Sequence, residues 1–234
     1  MNDNFFSKTD RRNVAACYFD WSMIAAEFDA PVSKVLNILP SDKLRPIQIR
    51  TDVTSIKLIG IEYRQIDKLA PYNEFMIAIP VEQIDDGKQE IPIYYIFQLP
   101  VTTQEACDAG IKYYGYPKFV AQIDYQEDGE TTKCRVKAEG KDLVSLEVQS
   151  LSTSHQSLDF CTYSVKDGKL LKTLIQIEGQ AGLATDSKGA KYFLGDHPVS
   201  SEIMNLKMSA TPTRYQYAPR LQSILHRARE VLSF

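Results

Sequence analysis

The chain has 234 residues, of which 44% are hydrophobic and 24% are charged, and its formal net charge is −3. This length allows one large or two small domains with a sizeable buried core. Because nucleic-acid-binding proteins usually carry a basic face, the slightly acidic balance argues against a nucleic-acid partner and favours a small molecule.

The N-terminal segment MNDNFFSKTDRRNV is polar and mixed in charge, so it lacks the apolar core of a signal peptide. No apolar run approaches the roughly 18 residues of a membrane span, and we predict no membrane partner. The four cysteines, Cys17, Cys107, Cys134 and Cys161, form no CxxC motif. Widely spaced cysteines favour reduced thiols, so we predict a cytoplasmic protein.

The first half of the chain is mainly strand-like. PVSKVLNILP, from Pro31 to Pro40, predicts a short helix with proline in its first turn and another proline ending it. Three strands are predicted after it, in TSIKLIGIEYRQI, EFMIAIPVEQI and EIPIYYIFQL. The segment Asp85-Asp86-Gly87-Lys88 is a predicted turn that joins the second and third strands into a hairpin.

The second half combines helices with a strand meander. VTTQEACDAGIKYY predicts a helix capped by Thr102 or Thr103. Strands are predicted in KFVAQIDYQ, TKCRVKAEG and DLVSLEVQS, and again at 160–166 and 170–178. HPVSSEIMNLK and PRLQSILHRAREVLSF are predicted to be helical, the second with a stripe formed by Leu221, Leu225, Ala228 and Leu232.

These elements together predict the fold class and the domain organisation. No linker or low-complexity tract interrupts the chain, so we predict a single domain over residues 1–234. Its class is α+β and mainly β, with a large antiparallel sheet that curls into a barrel and a few peripheral helices.

Several familiar catalytic and binding motifs do not fit. SLSTSHQSLDF contains serine, histidine and aspartate, but neighbours on one short segment cannot form a catalytic triad. His155, His197 and His226 lack the spacing of a ligand pair, so we predict no metal. GQAGLATDSKGA lacks a phosphate-loop pattern and is predicted to be a loop.

One lysine stands in an unusual setting. In YYGYPKFVAQ, residues 113–122, Lys118 follows a proline and is surrounded by aromatic residues. A lysine amine is a nucleophile only when it is neutral, and poor solvation disfavours its charged form. The alternative is a lysine whose aliphatic stem is buried while its ammonium group reaches water.

Two blocks of sequence resemble the acetoacetate decarboxylase family. GIKYYGYPKFVAQI is similar to the family segment in which an aromatic residue and a proline precede the Schiff-base lysine. LAPYNEFMIAIPV, upstream, is similar to the family's tyrosine, any residue, glutamate segment before an IPV strand. QEACDAG matches the helix before the lysine, and DHPVSSEIMNL resembles the family more weakly.

The resemblance implies a site and a fold. Lys118 matches the Schiff-base lysine and Glu74 the catalytic glutamate, while Tyr72 and Tyr116 match the family's aromatic positions. Tyr113 supplies further aromatic surface, and these three tyrosines are our candidate substrate-binding residues. The family fold, a closed antiparallel barrel with external helices, agrees with the element pattern. The resemblance also implies assembly into a homo-oligomer, and we predict no cofactor.

The sequence departs from the family at two positions. Well-known members have a second lysine after the first, where this chain has Phe119. Neighbouring residues of a strand point to opposite faces, so Phe119 need not affect the environment of the amine. CYFDWSMIAAEF contains no arginine at the position of a family arginine that meets the substrate carboxylate, and Arg11 and Arg12 are the nearest.

Three functions remain open at this point. The first is a Schiff-base-forming lyase that decarboxylates a β-keto acid through Lys118, with Glu74 moving protons or orienting the substrate. The second uses the same imine for aldol-type condensation or dehydration of a keto acid or ketone. The third is a non-catalytic barrel that binds a small molecule.

Overall fold

A closed seven-stranded β-barrel is the main feature of the computed structural model, which describes residues 5–6, 12–84 and 90–233. Around the barrel the strands are β5 (Tyr72–Gln83), β4 (Val53–Ile66), β1 (Val14–Pro31), β14 (Arg214–His226), β12 (Lys169–Ala184), β11 (Ser154–Lys166) and β6 (Ile93–Val101). Pairing of β5 with β6 closes the barrel, and every pair is antiparallel except β6 with β11. The predicted fold class is confirmed.

A second antiparallel sheet packs against the outside of the barrel. Its order is β13 (Ala190–Leu194), β10 (Lys141–Gln149), β9 (Thr131–Ala138) and β8 (Gln122–Glu127). Ile56 and Leu58 of β4 are buried in the core that includes residues of this sheet. A Cβ atom on Gly60 would lie 2.5 Å from Cys134 Cβ, so glycine permits the close approach of the two sheets here.

The other face of β4 points into the barrel. Side chains of a strand alternate between its two faces, so Ile59 and Ile61 lie opposite to Ile56 and Leu58. Both Ile59 and Ile61 belong to a separate apolar cluster inside the barrel. The same alternation brings Lys57 to the inner face.

Four short strands and three helices complete the described structure. The strands are β2 (Leu44–Pro46), β3 (Gln48–Arg50), β7 (Lys118–Val120) and β15 (Arg229–Ser233), and the helices are α1 (Val32–Leu36), α2 (Gln104–Tyr114) and α3 (Pro198–Asn205). The Thr103 hydroxyl accepts a hydrogen bond from the amide of Ala106, and Gly115 ends α2 in the left-handed conformation. Within the described part of the chain, no helix is long and apolar enough to cross a membrane.

The sequence prediction of a C-terminal helix is wrong. The described part of this segment, 219–233, contributes to strands β14 and β15, and β14 pairs with β1 on one side and β12 on the other. Leu221 and Leu225 are four residues apart, a spacing that places side chains on one face of a strand as well as of a helix. Pairing on both edges therefore decides the conformation, which local periodicity leaves open.

Two further strands differ from the sequence prediction. The long strand β1 was not predicted, and β12 continues to Ala184 through the first half of GQAGLATDSKGA, the segment predicted to be a loop. Both segments lie between two barrel strands, so backbone pairing with neighbours outweighs their mixed local pattern. The predicted turn 85–88 lies outside the described residues.

Candidate active site

The barrel interior contains a cavity of about 1340 Å³. Much of its wall is apolar, with Ile59 and Ile61 on β4, Met76 on β5 and Leu99 on β6. Helix α2 forms another part of the wall through Ala106, Ala109 and Gly110. Lys118 and Glu74 also face this cavity, so the structure brings the two main candidate residues to one place.

Lys118 and Glu74 form a buried ion pair. Lys118 Nζ donates a hydrogen bond of 2.7 Å to Glu74 Oε2. Their side chains are only 7% and 5% exposed. Removing one partner of such a pair would leave an uncompensated buried charge, which is costly. The side chains are therefore held together within proton-transfer distance, away from bulk water.

Strands β7 and β5 position the two residues. Lys118 is the first residue of β7 and pairs with Leu99 of β6 in a parallel arrangement. Glu74 lies on β5 opposite Ile61. β5 and β6 are neighbours in the barrel, and β7 pairs with β6. Lys118 therefore lies at the same end of the sheet as Glu74, whose side chain points into the barrel.

Helix α2 leaves a space for the lysine side chain. A Cβ atom on Gly110 would lie 2.4 Å from Lys118 Cδ and 2.6 Å from Cε. These distances are shorter than any normal carbon–carbon contact, so only glycine lets the lysine pass the helix in this conformation. Gly110 thus lies within the helix as a packing residue, while Gly115 forms the C-cap.

Tyrosine rings surround the amine. Nζ of Lys118 lies 5.5 Å from the centroid of the Tyr72 ring, within cation–π distance. Tyr63 donates a hydrogen bond of 3.5 Å to Glu74 Oε1, and its ring lies 4.7 Å from that of Tyr18 and 4.8 Å from that of Tyr72. The sequence prediction included Tyr72 but missed Tyr18 and Tyr63.

The tyrosines remain protonated around neutral pH. Burial raises the pKa of Tyr18, Tyr63 and Tyr72 well above that of an exposed phenol, and the charge of Glu74 raises it further. Burial also raises the pKa of Tyr114 to about 12. These side chains therefore offer neutral hydroxyl groups that can donate hydrogen bonds inside a largely apolar cavity.

The other two candidate tyrosines lie in different environments. Tyr116 is buried, hydrogen-bonds the Thr162 hydroxyl at 2.7 Å and stacks on Tyr114 with ring centroids 5.3 Å apart. Tyr113 is 61% exposed and packs beside Lys112 at the rim of the cavity. The structure therefore places Tyr116 in the wall and Tyr113 at the entrance.

The two departures from the family can be placed on the structure. Phe119 packs against the core between the barrel and the second sheet, on the opposite side from the cavity that Lys118 faces. Arg227 lines the cavity from the segment between β14 and β15, and its charge acts on Tyr114. This cation comes from the C-terminal segment, where the sequence predicted a helix.

A second lysine also faces the cavity. Lys57 of β4 donates a hydrogen bond of 2.8 Å to Gln216 and lies 3.8 Å from Glu27. Its side chain is 12% exposed, and burial lowers its pKa. Sequence reasoning missed it, although the alternation in TSIKLIGIEY puts this lysine on the same strand face as Ile59 and Ile61.

The comparisons with known proteins agree with this architecture. The family model described as acetoacetate decarboxylase matches residues 5–160, two thirds of the chain. The chain belongs to the acetoacetate decarboxylase family. The match includes both Glu74 and Lys118. A comparison with curated protein sequences finds no match.

Solved structures extend the likeness beyond residue 160. An acetoacetate decarboxylase from Legionella pneumophila subsp. pneumophila str. Philadelphia 1 has a TM-score of 0.71 and 12% identity, over 94% of this chain and 88% of that one. The enduracididine biosynthesis enzyme MppR, in complex with the condensation product of pyruvate and imidazole 4-carboxaldehyde, has a TM-score of 0.73 and 12% identity, over 96% and 92%. An acetoacetate decarboxylase-like enzyme from Sphingomonas wittichii RW1 has a TM-score of 0.61 and 11% identity, over 95% of both chains. At these identities the likeness shows a shared fold.

Proposed function

We propose that this protein is a Schiff-base-forming lyase that decarboxylates a β-keto acid through Lys118. The observation that carries the proposal is the buried hydrogen bond of 2.7 Å between Lys118 and Glu74 inside a tyrosine-lined cavity. An amine in this position is shielded from water yet has a neighbouring carboxylate that can take its proton. Desolvation and an adjacent general base are two of the ways in which protein nucleophiles are activated.

The proposed reaction follows from this pair. Glu74 accepts a proton from the Lys118 ammonium, and the neutral amine adds to the ketone carbon of the substrate. Loss of water gives a protonated imine. The bond to the carboxylate then breaks, CO₂ leaves, and the electron pair moves to the imine nitrogen to form an enamine. Protonation of the enamine carbon and hydrolysis release the ketone and restore the amine.

The surrounding tyrosines support the same steps. The hydroxyl groups of Tyr63 and Tyr72 remain protonated because burial raises their pKa. Tyr63 uses its single hydroxyl hydrogen for Glu74 Oε1 and so helps to hold the carboxylate in place. Tyr72 and Tyr18 are hydrogen-bonded to each other, so one of these two hydroxyl groups keeps a hydrogen that it can donate to an oxygen of the substrate or of the amine adduct. We propose Tyr72 and Tyr116 as substrate-binding wall residues and Tyr113 as a contact at the entrance.

A second reaction on the same imine is supported by a specific likeness. MppR shares this fold, and its structure contains a condensation product of pyruvate and an aldehyde. An aldol-type reaction would use the enamine of Lys118 as the carbon nucleophile in place of CO₂ release. No cofactor is needed in either proposal, because the imine nitrogen itself accepts the electrons.

Borohydride trapping tests the proposal. Incubation with a panel of keto acids and borohydride reduces any imine to a stable secondary amine, which mass spectrometry of peptides locates. We expect the adduct on Lys118 and CO₂ in the gas phase. Lys118→Arg should abolish the adduct, since arginine stays protonated, while the control Lys191→Arg, an exposed lysine on β13, should retain it.

The outcomes separate the candidates. An adduct with CO₂ release supports the decarboxylase. An adduct accompanied by a new carbon–carbon bond or by dehydration, without CO₂, supports the aldol-type enzyme. Failure of every carbonyl to form an adduct on Lys118 would contradict both enzymes and favour a barrel that binds a small molecule without converting it.

We further propose a cytoplasmic, homo-oligomeric protein that folds as one domain. Cys107, Cys134 and Cys161 are buried free thiols, which agrees with a reducing compartment. Light scattering after size-exclusion chromatography tests the oligomer, and a single cooperative unfolding transition tests the single domain.

A further inference from the structure

The cavity has a second polar end, away from the Schiff-base lysine. Lys57, Ile59, Ile61 and Tyr63 alternate along the inner face of β4 and all line the cavity. Lys57 pairs with Ala78 of β5, whereas Glu74 lies four residues earlier on that strand. At the rise of a strand, four residues separate these positions by about 13 Å.

Charges at this second end are not balanced. Among the described residues, the ionised groups that act on Lys57 are Glu27 and Arg214. Arg214 Nε lies 2.8 Å from Glu27 Oε2, whereas Lys57 lies 3.8 Å from Glu27 Oε1. The carboxylate is therefore more closely paired with the arginine than with Lys57. Two cations share one carboxylate, which leaves a net positive charge of about one at this end.

Lys57 has hydrogen-bonding capacity left for a ligand. An ammonium group has three N–H donors. One donates to Gln216 at 2.8 Å, and Glu27 is too distant for a strong hydrogen bond. Gln216 and Tyr94 also line the cavity, and the Tyr94 ring lies 5.8 Å from Lys57 Nζ. A buried cation in this setting favours an anionic ligand group, because the low local dielectric strengthens the attraction.

We propose that Lys57 binds an anionic group, such as a carboxylate, at the far end of an elongated keto substrate whose carbonyl reacts with Lys118. The inference rests on the proposed function and defines its substrate class. The apolar wall formed by Ile59, Ile61 and Met76 between the two lysines fits an alkyl chain. The cavity volume of about 1340 Å³ is above the usual range for small-molecule sites and exceeds the needs of a four-carbon keto acid.

The carboxylate of a β-keto acid cannot be the group bound by Lys57. It lies two bonds from the carbonyl carbon, and so it must remain near Lys118 during decarboxylation. A substrate that undergoes decarboxylation therefore carries the distal anion in addition to the carboxylate that leaves as CO₂. In a substrate of the aldol-type reaction, which releases no CO₂, the anion bound by Lys57 can be the only carboxylate of the molecule.

A series of methyl ketones tests the inference. Each carries a terminal carboxylate on an alkyl chain of increasing length, and each is compared with its neutral methyl ester. Borohydride trapping on Lys118 is measured as a function of ketone concentration, which gives an apparent affinity. Once the alkyl chain is long enough to reach Lys57, we expect the acid to bind about 10- to 100-fold more tightly than the ester. For shorter chains we expect the acid and the ester to bind with equal affinity.

Variants assign that preference to Lys57. In Lys57→Met, a chain of similar length without the charge, the acid-to-ester ratio should fall towards one for long chains. Glu27 keeps its partner Arg214 in this variant, so no buried charge is left unpaired. Lys57→Gln serves as a second neutral variant if methionine packs poorly, and Lys191→Met is the control with an exposed lysine.

The results distinguish this inference from the proposed function. Trapping on Lys118 with an acid-to-ester ratio that Lys57→Met and Lys57→Gln leave unchanged would overturn the role of Lys57 alone. An equal affinity for acid and ester at every length would overturn it too. Failure of all these ketones to form an adduct on Lys118 would overturn the proposed function and, with it, the inference.

Discussion

Gly110→Ala tests the packing of the helix against the lysine. The added Cβ atom would lie 2.4 Å from Lys118 Cδ, whereas an ordinary contact begins near 3.4 Å. The lysine side chain must therefore move by about 1 Å. A displacement of that size in a reacting group can cost about 100-fold in rate. We expect the rate of imine trapping on Lys118 to fall by this factor.

The same substitution should leave the fold intact. Alanine is favoured over glycine within a helix by about 0.8 to 1 kcal/mol. The clash involves the far part of a flexible side chain, which can move without opening the barrel. We therefore expect the free energy of unfolding, measured in urea, to stay constant or to rise slightly while trapping is lost.

Ile111→Ala is the matched control. Ile111 is the next residue of α2 and is 45% exposed, so its truncation should leave the trapping rate within about twofold of wild type. A wild-type trapping rate in Gly110→Ala would refute the argument that glycine provides the space for Lys118. A loss of several kcal/mol of stability would refute the expectation that the lysine side chain moves without disturbing the fold.

Three further predictions concern the ion pair, the cavity wall and pH. Glu74→Gln should slow both turnover and borohydride trapping on Lys118 by about 100-fold or more, since a carboxamide cannot take the proton of the ammonium group; unchanged rates would contradict the role of Glu74. Tyr116→Phe should cost about 1 to 3 kcal/mol of unfolding free energy by breaking a buried hydrogen bond, whereas Tyr113→Phe, at the exposed rim, should cost almost nothing in the same denaturant assay. The hydrogen bond from Arg64 lowers the pKa of Asp20, so this carboxylate stabilises the fold above its unfolded value of about 3.9 and loses that contribution as the pH falls through the lower folded value. Asp20→Asn should therefore reduce stability at pH 7 and have little effect near pH 2, and an equal loss at both would contradict this reasoning.

Part of the fold could be predicted from local sequence. Helix α2 forms where Thr103 supplies a cap and Gly115 allows a left-handed end. The meander β8 to β10 forms where alternation is regular and glycines or polar residues mark the turns. In both regions neighbouring residues carry the necessary information.

Part of the candidate site could be predicted in the same way. Lys118 and Glu74 could be named because each lies in a compact motif, and the structure brings them within 2.7 Å. Tyr18 and Tyr63 lie on β1 and β4, outside both motifs, and reach the site only because those strands pair in the barrel. Their place in the site follows from strand register, which no local signal specifies.

Local sequence patterns identify the reactive groups, a lysine behind a proline among aromatic residues and a glutamate near the start of a strand, and the alternation of apolar residues predicts a large sheet. Tertiary structure alone establishes which residues meet. It turned the C-terminal segment into β14 through pairing with β1 and β12, and it set Lys57 about 13 Å along the same cavity from the Glu74 position. The physical reason is that strand pairing joins residues far apart in the chain, so the contents of a barrel depend on closure rather than on local preference.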